Sequence, residues 1–132
     1  MTRGVRYFFY GTLMDRELLS HVLGRRIGAR DLAAARLFGW RRSAVHCKPY
    51  PIVLRRRGAS VRGFVVARIR AEDSALLSAY EGDGYMIATG VAESGGRRRT
   101  VRFFAARPGA YAASNRMWRF AAWWLGGRIA GA

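Results

Sequence analysis

The carboxyl group of Glu81 is well placed for acid–base chemistry. It stands at the C-terminal end of a helix predicted over residues 71–80, directly before Gly82. A helix dipole disfavours negative charge at that end, and an apolar surrounding favours the protonated acid further. A carboxyl group of raised pKa can serve as general base and then as general acid near neutral pH. A surface glutamate before a capping glycine is the plain alternative, and Asp83 is a second candidate acid.

A second feature that could take part in binding or catalysis is the turn that follows the aromatic run at residues 7–10. The run is typical of a strand, and Gly11 directly after it marks a bend or a close approach of the backbone. Asp15 then predicts the N-cap of a helix. A turn through Gly11 and Thr12 leaves backbone N–H groups without internal partners, and these can hold an anion or a developing oxyanion. The structural alternative is a first strand and turn of the core that bind nothing.

Other kinds of site find little support in the sequence. A metal site would draw on His21, His46 and Cys47, which lack the paired spacing of metal ligands. His46 and Cys47 are adjacent, so on a strand they point to opposite faces and cannot form a catalytic couple. The sequence holds no nucleophile elbow, phosphate loop or dinucleotide fingerprint. We therefore expect neither a metal nor a cofactor.

Hydrophobic patterning predicts the elements that position these residues. One helix begins after Asp15 and ends near Gly24, and the helix over residues 71–80 turns Leu76 and Leu77 toward the core. Glycine-rich turns are predicted at residues 57–60 and 93–96. The predicted strands cover residues 7–10, 37–40 and 44–46 (one bent strand or two), 52–54, 61–69, 85–91 and 100–106.

This order of elements predicts an α+β domain whose strands, about six or seven in number, can curl into a small barrel with flanking helices. Apolar residues at helical spacing predict a last, Trp-rich helix at about residues 114–126. Its Phe120, Trp123 and Trp124 could dock on the body of the protein or on a partner chain. A structural or interaction protein that docks through this helix is therefore one hypothesis of function.

Composition limits the class of protein. A chain of 132 residues is expected to form a single domain over residues 1–132, and its 51% hydrophobic content argues against general disorder. The single cysteine, Cys47, excludes an intramolecular disulfide and fits a reducing compartment. No apolar run approaches the roughly 20 residues that span a bilayer, and no signal-peptide pattern opens the chain. We expect a cytoplasmic monomer or homodimer without a membrane partner.

The net charge of +16 is carried almost entirely by arginine. Such a charge favours anionic partners, nucleic acid among them. The arginines form short, separate clusters at residues 25–26, 41–42, 55–57 and 97–99, and none is long enough to be a basic arm. A solvated surface in a lineage that prefers arginine codons is the alternative. An Arg-rich, nucleic-acid-binding module without catalysis is thus a second hypothesis of function.

Two stretches taken together, residues 7–14 and 77–85, resemble the gamma-glutamylcyclotransferase-like (AIG2-like) family. In that family an aromatic strand ends in Tyr-Gly-Ser/Thr, and a catalytic Glu follows a short helix in a Glu-Gly context before a Tyr. Both patterns stand here in the right order, with lesser matches at residues 50–53 and 61–65 between them. The resemblance covers about residues 5–107 and leaves the predicted last helix outside.

The resemblance implies a compact mixed β-barrel with a pocket between the first turn and Glu81. Members cleave γ-glutamyl amino acids or γ-glutamyl amines, releasing 5-oxoproline and the free amine without a cofactor. By this resemblance Glu81 is the general acid and base, and the turn amides hold the glutamyl end or the charge that develops on its carbonyl. Tyr10 would shape the pocket and could donate a hydrogen bond. The residues implied at the substrate are Tyr10, Gly11, Thr12, Leu13 and Tyr85.

Overall fold

The computed structural model describes residues 4–45 and 48–111. Its elements follow one another as β1 (Val5–Phe9), a 3-10 turn (Thr12–Met14), α1 (Arg16–Leu23), a second 3-10 turn (Ala29–Asp31), β2 (Leu32–Ala44), β3 (Pro51–Ile69), α2 (Ala71–Glu81), β4 (Tyr85–Ser94) and β5 (Arg97–Ala106). His46, Cys47 and the predicted helix at residues 114–126, with its Phe120, Trp123 and Trp124, lie outside the described residues.

The described strands join edge to edge in the order β1–β3–β2–β4–β5. All neighbouring pairs are antiparallel except β1 and β5, which run parallel and meet at Tyr7 and Arg102. This last pairing closes the five-stranded mixed sheet into a ring. The result is an α+β fold in which two helices accompany one sheet.

The prediction of six or seven strands was wrong for this part of the chain, which contains five. The predicted turn at residues 57–60 lies inside β3, and β2 is one long, bent strand. The β2–β3 register explains the error, because Phe38 pairs with Ser60 whereas Trp40 pairs with Arg55. Residues 56–59 therefore bulge opposite Gly39. A bulge and a hairpin turn use the same residue types, and Gly58 has a φ of 80° that suits either.

Side chains of β1 alternate between two apolar clusters, as the pleat of a strand requires. Tyr7 and Phe9 pack in a cluster that includes Leu19 of α1 and Leu77 of α2, whereas Phe8 packs in a cluster drawn mainly from the strands. The first strand thus joins the helical layer to the sheet. The prediction for α2 was right for Leu77, which is fully buried, and wrong for Leu76, which is 45% exposed.

The two helices predicted within the described residues are confirmed, and their ends are fixed by caps. Asp15 accepts hydrogen bonds from the backbone N–H groups of Glu17 and Leu18, at 3.0 and 3.5 Å. The helix ends at Gly24 in the left-handed conformation. At the start of α2, Asp73 accepts from the backbone N–H of Arg70 and pairs with Arg25 at 3.0 Å, which ties the two helices together.

Removing the Asp15 cap is expected to weaken α1, which directly follows the turn at residues 11–14. Asp15→Ala leaves helix N–H groups without their acceptor and should lower the free energy of unfolding by about 1 kcal/mol. Asp15→Asn keeps a capping oxygen and is the matched control. Urea denaturation of the three proteins measures the difference, and an unchanged unfolding free energy in the alanine variant would contradict this account of the cap.

Candidate functional site

The last residue of α2 is Glu81, and the chain turns sharply behind it at Gly82, whose φ is 84°. Glu81 lines a pocket at the end of the sheet and is only partly exposed. Burial raises the pKa of its carboxyl from 4.5 to about 7. The sequence predicted a raised pKa at this position, and the structure attributes the shift to burial. A carboxyl that titrates near neutral pH can both accept and donate a proton there.

The opposite wall of the pocket is the turn at residues 11–13, which β1 and Tyr10 deliver to it. Across the described part of the chain, the backbone N–H groups of Gly11, Thr12 and Leu13 find no backbone acceptor. The carbonyl of Tyr10 accepts a hydrogen bond from the Arg42 guanidinium at 3.0 Å. Because C=O and N–H point in opposite directions in a trans peptide, this bond turns the Gly11 N–H away from Arg42.

Gly11 leaves little room for a side chain beside Pro51. A Cβ atom placed on it would lie 3.1 Å from two ring carbons of Pro51, which also lines the pocket. Such a contact is tighter than ordinary van der Waals packing, so the Pro51 ring would have to move. The glycine therefore lets the backbone of the turn lie close to Pro51.

Two tyrosine hydroxyls are used to join the pocket walls. Tyr10 donates to the backbone carbonyl of Phe104, and Tyr85 donates to that of Pro51 at 2.8 Å. Burial is the main cause that raises the pKa of both phenols, and the negative charge of Glu81 contributes. Both phenols are therefore neutral and fixed. They shape the pocket, and the hydrogen bond that Tyr10 could donate is made to Phe104.

A contact between two side chains links the halves of the site. The hydroxyl groups of Thr12 and Tyr80 lie 3.1 Å apart, so the turn after β1 is joined to the residue next to Glu81. The structure thus places all the sequence-predicted site residues around one pocket: Tyr10, Gly11, Thr12, Leu13, Glu81 and Tyr85. Asp83, the alternative acid, is exposed and does not line it.

Several contributors were not predicted as site residues. Tyr50 lines the pocket, and its ring lies near the rings of Tyr85 and Tyr111, at centroid distances of 6.3 and 5.7 Å. Tyr80 contributes through its contact with Thr12, and Arg42 through its hydrogen bond to the Tyr10 carbonyl. The proline on each side of Tyr50 was a usable signal, because it fixes the backbone that carries the ring. No local pattern marks Tyr80 or Arg42.

The site combines a titrating carboxyl, a turn rich in N–H donors and an aromatic wall. Such an arrangement can hold a small substrate by its polar end and move a proton at an adjacent atom. Within residues 4–45 and 48–111, no three His, Cys, Asp or Glu side chains come together as metal ligands would. In the same residues, no helix has the length and apolar character that a bilayer crossing needs.

Comparison with known proteins gives a match at the level of family. The model of the family "Gamma-glutamyl cyclotransferase, AIG2-like" matches residues 7–120. No curated protein matches the chain.

Solved structures resemble the fold at low sequence identity. A solution structure from Arabidopsis thaliana is 19% identical, with a TM-score of 0.75 over 96% of this chain and 76% of that one. A structure described as gamma-glutamyl cyclotransferase is 16% identical, with a TM-score of 0.64 over 83% and 69% of the two chains. An uncharacterized protein of Homo sapiens is 17% identical, with a TM-score of 0.67 over 85% and 70%. At these identities the likeness establishes the fold.

Proposed function

The chain belongs to the gamma-glutamyl cyclotransferase, AIG2-like family, and on that premise we propose that it converts γ-glutamyl compounds to 5-oxoproline. The second product is the amine or amino acid that had been joined to the γ-carboxyl group. The observation that best supports the proposal is the placement of Glu81 and the amide turn at residues 11–13 on one pocket. The raised pKa of Glu81, about 7, suits a residue that takes up and returns a proton.

The proposed reaction takes place within one substrate molecule. The α-amino nitrogen attacks the γ-carbonyl carbon, and the new C–N bond closes a five-membered ring. The tetrahedral intermediate then breaks the original γ-amide C–N bond, whose electron pair leaves with the amine. Because nucleophile and electrophile belong to the same molecule, the protein's main tasks are to fold the substrate and to move protons. The reaction requires neither an enzyme nucleophile nor a cofactor.

Glu81 would move the proton in both halves of the reaction. Its carboxylate takes a proton from the substrate's α-ammonium group, which frees the electron pair for attack. The resulting carboxylic acid then gives the proton to the departing nitrogen, and the carboxylate is regenerated. The ring nitrogen loses its second proton to this carboxylate as the lactam forms, and the proton passes on to the released amine, which leaves as its ammonium form. Such positioned proton transfer typically contributes about 10²- to 10⁴-fold to a rate.

The turn at residues 11–13 would stabilise the charge that develops on the γ-carbonyl oxygen. In the proposed complex its N–H groups would already be in place and would need no reorganisation when the charge appears. Arg42 holds the first of them through the Tyr10 carbonyl. Tyr10 and Tyr85, fixed by their own hydrogen bonds, set the shape of the pocket around the glutamyl chain.

The pH dependence of turnover tests the role of Glu81. The base must be ionised before attack, so kcat/KM for a γ-glutamyl substrate should rise with unit slope below pH 7 and level off above it. The bend should lie near the pKa of about 7 that burial gives to Glu81. Initial rates of 5-oxoproline release between about pH 3.5 and pH 8 measure it. A profile that bends near pH 4 to 5, as an ordinary carboxyl would, assigns the base to another group.

A further inference from the structure

The charge of the protein is divided between the strands and the helical segments. Lys and Arg total 24 against 8 Asp and Glu. Glu93 is the single carboxylate carried by the five strands, which hold most of the described arginines. The other acidic residues lie in or beside the helices and their turns. The outer surface of the sheet is therefore strongly basic. The reaction proposed above does not require this positive charge.

Four exposed side chains form a row across neighbouring strands. Arg62 of β3 pairs in register with Arg36 of β2, Arg36 with Glu93 of β4, and Glu93 with Arg98 of β5. Glu93 lies 3.8 Å from the Arg98 guanidinium, and both side chains are largely exposed. An exposed pair of this kind is weak, so Glu93 leaves most of the positive potential of the row unbalanced.

One arginine of this surface rests on an aromatic ring of β2. The Arg98 guanidinium carbon lies 4.8 Å from the centroid of the Phe38 ring. The Arg98 side chain is 69% exposed in spite of this contact. The ring thus supports a planar cation that a ligand can still reach. We call Arg36, Phe38, Arg62 and Arg98 the basic face.

From this combination we propose that the basic face binds single-stranded nucleic acid. The arginines meet the phosphates, and a base stacks on the Arg98 guanidinium plane that the Phe38 ring supports. A duplex keeps its bases stacked internally and cannot use such a platform. RNA and single-stranded DNA share this chemistry, and the experiment below separates them.

The Arg98 end of the basic face lies far from the pocket along β4. Glu93, in the row, is eight residues along β4 from Tyr85, which lines the pocket, and this corresponds to roughly 26 Å of extended strand. The two proposals use different side chains, so neither stands or falls with the other.

Fluorescence anisotropy of the full chain with a labelled single strand of about 20 nucleotides tests the proposal. The triple variant R36Q/R62Q/R98Q should bind at least about tenfold more weakly and lower the slope of log K against log salt by about 2. The matched control, R16Q/R26Q/R30Q, removes the same charge from exposed positions near α1. It should change the dissociation constant by less than about threefold. Phe38→Leu should weaken binding without changing the slope, because it removes the support for a stacked base and no charge.

Parallel titrations with RNA, single-stranded DNA and duplex of the same sequence identify the ligand. Tighter binding of either single strand than of duplex supports the proposal and shows which single strand is preferred. Equal weakening in both triple variants would show that net charge alone is responsible, and this would overturn the proposal. Tighter binding to duplex, or binding to vesicles of anionic lipid without binding to either single strand, would also overturn it.

Discussion

Replacing Glu81 with glutamine is expected to abolish 5-oxoproline release while making the protein more stable at alkaline pH. Glutamine has nearly the same shape but cannot take a proton from the substrate's ammonium group. Loss of such a general base lowers kcat by about 10²- to 10⁴-fold. Release of 5-oxoproline from a γ-glutamyl substrate, followed at saturating concentration, measures the change. Retained turnover would contradict the assignment of Glu81.

The stability of the same variant reports on the burial of Glu81. Its folded-state pKa of about 7 lies above the ordinary 4.5, so the native state binds more protons than the unfolded chain between these values. The free energy of unfolding therefore falls as pH rises from about 4.5 to 7 and stays lower above that range. The loss amounts to at most about 3 kcal/mol. Glutamine carries no charge, so Glu81→Gln should melt higher than the natural protein at pH 8 and equally at pH 4.

Asp83→Asn is the matched control for both measurements. It removes a carboxylate two residues away that is exposed and does not line the pocket. The variant should keep turnover and show no gain in melting temperature at pH 8. Lost turnover in Asp83→Asn, with normal turnover in Glu81→Gln, would transfer the proton-moving role to Asp83.

The second large effect is expected at Gly63, which lies buried beneath β1. A Cβ atom at this position would stand 2.2 Å from the carbonyl oxygen of Phe9 and 2.7 Å from the Phe8 ring. The clash with Phe9 involves backbone, which side-chain rotation cannot relieve. Gly63→Ala should therefore lower the free energy of unfolding by about 1–3 kcal/mol or more. It should also lower turnover, because Phe9 leads directly into the pocket turn at residues 11–13.

A glycine in a loop provides the control for this substitution. A Cβ atom on Gly28 would have its nearest neighbour at 3.6 Å, an Asp31 carboxylate oxygen, and the backbone there is extended, with a φ of −90°. Gly28→Ala should change the unfolding free energy by no more than about 0.5 kcal/mol. Urea denaturation of both variants measures the contrast, and equal stability of the two would contradict the close packing of β1 on β3.

The parts of the fold that were predicted correctly have local causes. α1 begins at its Asp15 cap and ends at Gly24, and the β4–β5 hairpin turns at Gly95 and Gly96, both at positive φ. Each of these signals lies within a few residues of the structure that it specifies. The error in β3 arises from a contact between residues that are distant in the sequence. Gly58 marks an irregularity, but only pairing with β2 determines whether the chain turns back or bulges and continues.

The residues of the site also fall into those that a local sequence pattern predicts and those that it does not. The first turn and Glu81 could be predicted because each stands in a recognisable local pattern, and the resemblance joined them into one site. The contact between Thr12 and Tyr80 joins residues far apart in the chain, as does the bond from Arg42 to the Tyr10 carbonyl. Such contacts depend on how the closed ring brings strands together, and no local pattern contains that information. Of the arginines in the basic face, only Arg98 belongs to a cluster in the sequence, whereas Arg36 and Arg62 stand singly. The strand register places the three in one row.

Isotope labelling of the substrate tests the proposed cyclisation most directly. The full chain is incubated with a γ-glutamyl compound that carries ¹⁵N on its α-amine, and the products are identified by NMR. Attack by that amine predicts ¹⁵N in the ring of 5-oxoproline, equimolar release of the unlabelled amine, and no product from the Glu81→Gln variant. The appearance of ¹⁵N-labelled glutamate, or the absence of any product from a panel of γ-glutamyl amines and amino acids with the folded protein, would contradict the account.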